Sequence, residues 1–125
     1  MRKRLEKFVA VLIASESYDD DEGVWRFSNG SMCSICTSAA AIIGREFGGV
    51  VCGYWAKDNR AADIGALLSE GHDFAVIVGR WLVDYWAFRV ARVSPRAVLD
   101  LRLPRDKKLA QRLYGRQESW VAITP

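Results

Sequence analysis

Apolar side chains recur at intervals of three and four residues in two parts of the chain, which is the spacing of one helix face. Residues 2–17 place charged side chains between the apolar ones, which are Leu5, Phe8, Val9, Leu12 and Ile13. Residues 32–47 are apolar on nearly every side of a helix and are followed by Gly48-Gly49, typical of a helix end. The pattern predicts an amphipathic first helix and a buried central helix.

The strongest β-strand signal lies in residues 72–90. Apolar and β-branched residues lead to the turn pair Gly79-Arg80, and aromatic and β-branched residues return after it. Weaker patterns predict strands at 24–27, 49–55 and 119–123, a short helix and loop at 59–70, and a basic helix at 106–114. The order predicts an α+β fold in which the central buried helix packs on an antiparallel β-sheet.

Length and composition indicate the class of protein. The 125 residues are 50% hydrophobic and 26% charged, which is typical of one globular domain, and we expect a single domain over residues 1–125. The acidic run at residues 19–22 predicts a solvated linker. The net charge of +3 is better explained by a solubilising surface than by a nucleic-acid partner.

The counts of three cysteines and one histidine limit the kinds of site that the protein can form. An odd cysteine count argues against a closed disulfide framework, and neither a signal-peptide pattern nor an 18-residue apolar run is found. We therefore expect a cytoplasmic protein with reduced thiols and no membrane partner; export without a signal peptide is also compatible with this sequence. Because His72 is the only histidine, Cys2His2 fingers and HExxH metalloproteases are excluded.

Cys33 is the first candidate nucleophile. It falls at the predicted start of the central helix, where the positive end of the helix dipole lowers a thiol pKa and can hold an oxyanion. His72 is its only candidate base, and Asp84 is the candidate carboxylate that orients the imidazole. Asn29 is a weaker candidate for the oxyanion hole beside the Cys33 N–H. Cys36, three residues further on, is the alternative nucleophile.

The turn at residues 78–80 decides whether His72 and Asp84 can meet. Opposing residues of an antiparallel pair have numbers with a constant sum. A two-residue loop puts Val78 opposite Trp81 and sends His72 and Asp84 to opposite faces. A three-residue loop changes the parity and puts both on one face, roughly 7–8 Å apart at the backbone. We therefore predict a three-residue loop or a bulge, with Gly79 in a left-handed conformation.

These motifs resemble the papain-like superfamily of cysteine enzymes, and within it the transglutaminase-like branch. The resemblance covers about residues 29–86, and it rests on Ser31-Met32-Cys33, Gly48, Val50-Val51-Cys52-Gly53-Tyr54, Gly71-His72-Asp73-Phe74-Ala75-Val76 and Trp81-Leu82-Val83-Asp84. The chain departs from the pattern in having Ser31 where glycine is usual and in a shorter span from cysteine to histidine. Residues 29–36 also resemble the papain-type stretch in which the second cysteine of a CxxC is the nucleophile.

The resemblance implies a papain-like core and a Cys-His-Asp triad that acts on a protein or peptide amide through a thioester. Proteolysis, deamidation and transamidation are all included, and no metal or organic cofactor is implied. The small size is in keeping with a secreted effector or toxin. The oligomeric state is not indicated.

Two other interpretations of the sequence are a zinc site and a non-catalytic binding module. Cys33, Cys36, Cys52 and His72 make a Cys3His zinc set by count, although CxxC zinc ligands usually lie in a loop and the predicted helix begins within this one. Alternatively, the fold could be a non-catalytic module whose basic C-terminal segment, residues 102–116, binds an acidic protein or nucleic acid. Basic residues at helical spacing more often form a solvated face.

Overall fold

The computed structural model describes residues 1–68 and 70–123. Its helices in this part of the chain are α1 (Arg2–Ala14), α2 (Cys36–Phe47), α3 (Asp63–Leu67) and α4 (Pro104–Tyr114). Its strands are β1 (Ser17–Asp19), β2 (Val24–Arg26), β3 (Val50–Trp55), β4 (Gly71–Ile77), β5 (Trp81–Val83), β6 (Val98–Asp100) and β7 (Val121–Ile123). Short 3-10 segments cover Ala56–Asp58 and Gln117–Ser119, and a π-helix covers Trp86–Val90.

Five of these strands form one antiparallel sheet in the order β6-β5-β4-β3-β7. This confirms the predicted α+β class. The strands β1 and β2 form a separate antiparallel pair, so the acidic run at residues 19–22 is the turn of a hairpin rather than a linker. The turn is held locally, because the Asp19 carboxylate accepts hydrogen bonds from the N–H groups of Asp21 and Glu22.

The sheet is covered by helices on both faces. Alternate residues of β4 point to opposite sides, and each side has its own apolar cluster. Ala75 and Ile77 pack with buried side chains of α1 and α2. Phe74 and Val76 pack with buried side chains of α3 and α4. The helix α2 is buried along one face only, which is less than its sequence predicts, and its N-terminal turn reaches the beginning of β4.

The loop between β4 and β5 confirms the predicted parity. Ile77 pairs with Trp81 and Ala75 with Val83, so the loop has three residues, 78–80. It closes through the Arg80 N–H, which donates to the Ile77 carbonyl at 3.0 Å. Val78 and Gly79 both have positive φ, 47° and 65°. Glycine adopts this region without strain, so Gly79 suits the position as predicted.

Two boundaries differ from the sequence prediction, and both affect the site. The helix α2 begins at Cys36 rather than at residue 32, because Met32 and Cys33 pair with Arg26 and Trp25 of β2 instead. The return strand ends at Val83, and the predicted strand residues after it form the π-helix Trp86–Val90. No helix in the described part of the chain is long and apolar enough to span a membrane.

Asp106 ties α4 to α1 and to β6. Its side chain is completely buried and accepts a hydrogen bond from the Asp100 N–H at 2.8 Å. Arg2 and Arg96 form ion pairs with the same carboxylate at 3.0 and 2.8 Å. Burial alone would raise the pKa of Asp106, but the Asp100 N–H and the two guanidinium groups outweigh it and lower this pKa. The carboxylate is therefore charged and is a structural anchor.

We expect Asp106→Ala to lower the free energy of unfolding by about 2–3 kcal/mol, because it leaves the buried Asp100 N–H without an acceptor. Urea unfolding followed by circular dichroism measures this loss. The matched control is Asp58→Ala, since Asp58 is exposed and its removal should change stability by less than about 0.5 kcal/mol. Equal unfolding midpoints for the two variants would contradict the structural role of Asp106.

Candidate active site

His72 and Asp84 form a buried pair at one end of the sheet. The distance between His72 Nε2 and Asp84 Oδ2 is 2.6 Å, and the two residues are 1% and 4% exposed. His72 lies on β4, and Asp84 follows directly after β5. The three-residue loop thus brings both side chains to one face of the sheet, as its parity predicts.

The Asp84 carboxylate has two further donors. The Tyr114 hydroxyl donates to Oδ2 at 2.9 Å from the last turn of α4, and the Ala87 N–H donates to Oδ1 at 3.0 Å from the π-helix. With His72, the carboxylate is therefore held by three groups from three different parts of the chain. A buried carboxylate with this many partners keeps a fixed orientation, and so does the imidazole bound to it.

Asp84 determines the charge of His72. Burial by itself would lower the His72 pKa, but the charge and hydrogen bond of Asp84 outweigh burial, and the Cys36 sulfur adds to their effect. Together they raise the pKa to about 10. The imidazole is thus expected to be protonated at neutral pH, with Nε2–H donating to Asp84.

The other ring nitrogen of His72 is uncommitted. Nδ1 is buried and has no hydrogen-bond partner among residues 1–68 and 70–123. The ring lies among aromatic side chains, with centroid distances of 4.9 Å to Trp86, 5.9 Å to Tyr114 and 6.3 Å to Tyr54. Because a buried polar atom without a partner is costly, Nδ1 is the ring nitrogen that is open to a further partner.

Cys36 is the cysteine that the structure brings to His72. It is the first residue of α2, it is partly exposed, and its sulfur lies close enough to raise the His72 pKa. Two contacts fix this end of the helix. The Trp86 indole N–H donates to the Ser34 carbonyl at 3.0 Å, and the Thr37 hydroxyl donates to the carboxylate of Asp73, next to His72 on β4.

Cys33 is placed elsewhere, which corrects the predicted site. It lies three residues before α2, and its N–H already donates to the Trp25 carbonyl at 2.9 Å, so it is not free to hold an oxyanion. Its side chain is 3% exposed and lies near Tyr85 and Glu16. Burial, with the charge of Glu16, raises the pKa of the Cys33 thiol although the Tyr85 hydroxyl opposes this.

Asn29 does not support the predicted oxyanion role. It is exposed, and its side-chain oxygen accepts from the Ser31 N–H at 2.9 Å and from the Ser31 hydroxyl at 2.6 Å. The side chain thus closes the turn that keeps residues 27–33 out of the helix. Cys52 lies on β3, where burial raises its thiol pKa. In the described part of the chain, no three His, Cys, Asp or Glu side chains lie close enough together to hold a metal ion.

Two tyrosines of the site have little signal in the sequence. Tyr114 is 30 residues from Asp84, and sequence identifies it only as the last residue of a basic helix before Gly115. Tyr54 lies opposite His72 in the β3–β4 register, and its buried hydroxyl has no partner among the described residues. Its position at the end of a strand, next to Gly53, is part of the motif noted above, but nothing local indicates that its hydroxyl is buried.

No protein-family model matches this chain, and comparisons with curated proteins and with solved structures find no significant similarity.

We expect Asp84→Asn to lower the His72 pKa below its ordinary value of about 6.5, because burial of the imidazolium is then no longer opposed by a carboxylate. The single histidine gives one Hε1 signal, which an NMR titration follows directly. The matched control is Asp73→Asn, the neighbouring residue on β4, which should leave the His72 pKa raised. A normal His72 pKa in the wild-type protein would contradict the pair.

The same shift gives a pH dependence of stability. The folded-state pKa of His72, raised to about 10, is above the unfolded value of about 6.5. The folded protein therefore binds more protons than the unfolded chain between these values. We expect the His72 contribution to be complete below about pH 6.5 and to be lost as the pH rises towards about 10. Urea unfolding of wild type and Asp84→Asn at several pH values measures the difference.

Proposed function

We propose that the protein is a cysteine-dependent acyl-transfer enzyme that acts on a protein or peptide amide. Cys36 is the nucleophile, His72 is its base and later its acid, and Asp84 orients the imidazole. One observation carries the proposal. The only histidine is bound through Nε2 to a buried carboxylate, its other nitrogen has no hydrogen-bond partner among residues 1–68 and 70–123, and the neighbouring thiol belongs to the first residue of a helix.

The chemistry follows from these positions. An imidazolium next to a sulfur stabilises the thiolate form, and the positive end of α2 acts in the same direction. The thiolate attacks the amide carbon, and His72 gives its Nδ1 proton to the leaving amine or ammonia. A thioester to Cys36 remains. Water or an amine, deprotonated by His72, then attacks the thioester and releases the thiol.

The first turn of α2 supplies the candidate oxyanion donor. N–H groups in the first turn of a helix lack acceptors within the helix, and the N–H of Cys36 is the first of them. This group takes the role that the sequence assigns to the N–H of Cys33. A negative oxygen formed next to Sγ would be stabilised there by the N–H and by the helix dipole.

The chain order supports a papain-like or transglutaminase-like core as part of the proposal. The chain has a cysteine at the start of α2, a histidine on β4 and an aspartate directly after β5. This is the chain order of the Cys-His-Asp triad in the enzymes that the sequence resembles. The nucleophile is then the second cysteine of the CxxC, as in the papain-type stretch. Hydrolysis, deamidation and transamidation share these steps up to the thioester, and an exported effector with a host protein as substrate remains compatible with all three.

We expect iodoacetamide at about pH 6 to alkylate Cys36 at least tenfold faster than Cys33 and Cys52. Burial raises the pKa values of the latter two thiols, whereas Cys36 is the partly exposed first residue of α2 that the proposal pairs with His72. Peptide mass spectrometry assigns the label to each cysteine. His72→Ala should abolish the preference for Cys36. Equal, slow labelling of all three cysteines would contradict the proposal and favour a non-catalytic module.

We expect the wild-type protein to modify a subset of candidate substrate proteins, seen by mass spectrometry as new termini, one-dalton deamidation or crosslinks to an added amine. Cys36→Ala should abolish every such product, because no thioester can form. Cys52→Ala is the matched control and should keep the activity, since Cys52 lies outside the site. Products that persist in Cys36→Ala would assign the activity to another residue.

A further inference from the structure

A cleft of about 430 Å³ lies beside the segment that precedes Cys36, and neither Cys36 nor His72 lines it. One wall is the β1–β2 hairpin with Trp25, and another is the end of the π-helix with Arg89 and Arg92. A third is the backbone at Cys33 and Ser34. Its volume is in the range of pockets that hold a small ligand or a few residues of a peptide.

The floor of the cleft is a neutral, rigid ion pair. The Glu16 carboxylate accepts two hydrogen bonds from the Arg89 guanidinium, at 3.2 and 3.1 Å, and another from the Tyr85 hydroxyl. Burial alone would raise the pKa of Glu16, but Arg89 and Tyr85 outweigh it and lower this pKa. The charges of Glu16 and Arg89 thus compensate each other.

Arg92 leaves one positive charge at the rim. It is exposed, and no carboxylate within residues 1–68 and 70–123 forms an ion pair with it. Its φ of 56° is unusual for a residue with a side chain, and such backbone strain is most often found at functional positions. Its neighbours fix this conformation, since the N–H groups of Ala91 and Val93 donate to the carbonyls of Trp86 and Ala87.

Trp25 provides an apolar surface in the same cleft. Its side chain is 53% exposed, yet an edge-to-face contact with Tyr18, with ring centroids 5.4 Å apart, holds the indole on the hairpin. The four carboxylates of the hairpin turn, residues 19–22, do not line the cleft, and two of them, Asp19 and Glu22, pair with Arg26. An exposed, oriented indole and a guanidinium with no ion pair in the described part of the chain together favour a ligand with an apolar and an anionic part.

The cleft borders the segment that precedes Cys36. Ser34 lines it and is two residues before Cys36, and the Trp86 indole holds the Ser34 carbonyl beside His72. We propose, building on the proposed function, that this cleft binds the substrate polypeptide next to the amide that Cys36 attacks. It selects a segment with an apolar side chain against Trp25 and an acidic side chain on Arg92. The substrate class is therefore an acidic, partly apolar peptide segment that carries the reactive amide.

Peptide binding to the Cys36→Ala protein tests this without turnover. The probes are two acetylated pentapeptide amides with central glutamine and flanking leucines, one with aspartate at both ends and one with lysine. We expect the acidic peptide to bind at least tenfold more tightly and to shift the Trp25 indole N–H signal, which Trp25→Phe assigns. Adding Arg92→Glu should reverse the preference, whereas Arg102→Glu, the same charge change at an exposed site outside the cleft, should preserve it.

Three outcomes would overturn the proposal: equal affinity for both peptides, tighter binding of the lysine peptide, or no binding at millimolar concentration. A thermal unfolding curve for each variant confirms that it is folded. Because these measurements use a protein without the nucleophile, they are independent of the Cys36 alkylation experiment. Selective alkylation together with absent peptide selectivity would reject the cleft as a specificity site and keep the acyl-transfer proposal.

Discussion

The buried carboxylate of Asp84 is the interaction on which both the fold and the candidate site depend. A charged group out of water costs several kcal/mol unless hydrogen bonds and an opposite charge replace its hydration. Asp84 obtains them from His72 on β4, from Tyr114 at the end of α4 and from the Ala87 N–H. The sheet, the C-terminal helix and the π-helix must therefore be in place together for this charge to be stable.

The same carboxylate explains the shape of the chain after β5. By accepting the Ala87 N–H, Asp84 draws the chain away from the sheet directly after Val83, and the π-helix Trp86–Val90 begins there. The π-helix then carries Trp86 to the His72 ring and to the carbonyl of Ser34, and carries Arg89 to Glu16. One buried carboxylate thus helps to position both His72 and the segment before Cys36.

Periodicity links the meeting of His72 and Asp84 to the length of one loop, because strand residues alternate between the two faces. The sequence also allows a two-residue loop at Gly79-Arg80, so the three-residue loop is predicted as the condition for the pair. The aspartate itself is noticeable because it interrupts the apolar stretch around Leu82 and Tyr85. These features need no knowledge of distant contacts.

Other parts depend on contacts that leave no local pattern. The start of α2 is set by the bonding of residues 27–33 to β2, and helix periodicity cannot distinguish a first turn at Cys33 from one at Cys36. Residues 86–90 are aromatic and apolar and suit a strand as well as a π-helix, so only the capture of the Ala87 N–H decides between them. Tyr114 meets Asp84 across 30 residues, and the sequence of α4 gives no sign of it.

The two cysteines of the CxxC are three residues apart, and their side chains lie in different surroundings. Cys33 is buried beside the negative charge of Glu16, and both burial and that charge favour the neutral thiol. Cys36 is partly exposed at a helix start, beside an imidazole whose pKa Asp84 raises. Because thiolates are the reactive form and both burial and charge oppose one at Cys33, the proposed nucleophile is Cys36. The reactivity assigned to Cys36 thus depends, through His72, on the carboxylate that anchors the fold.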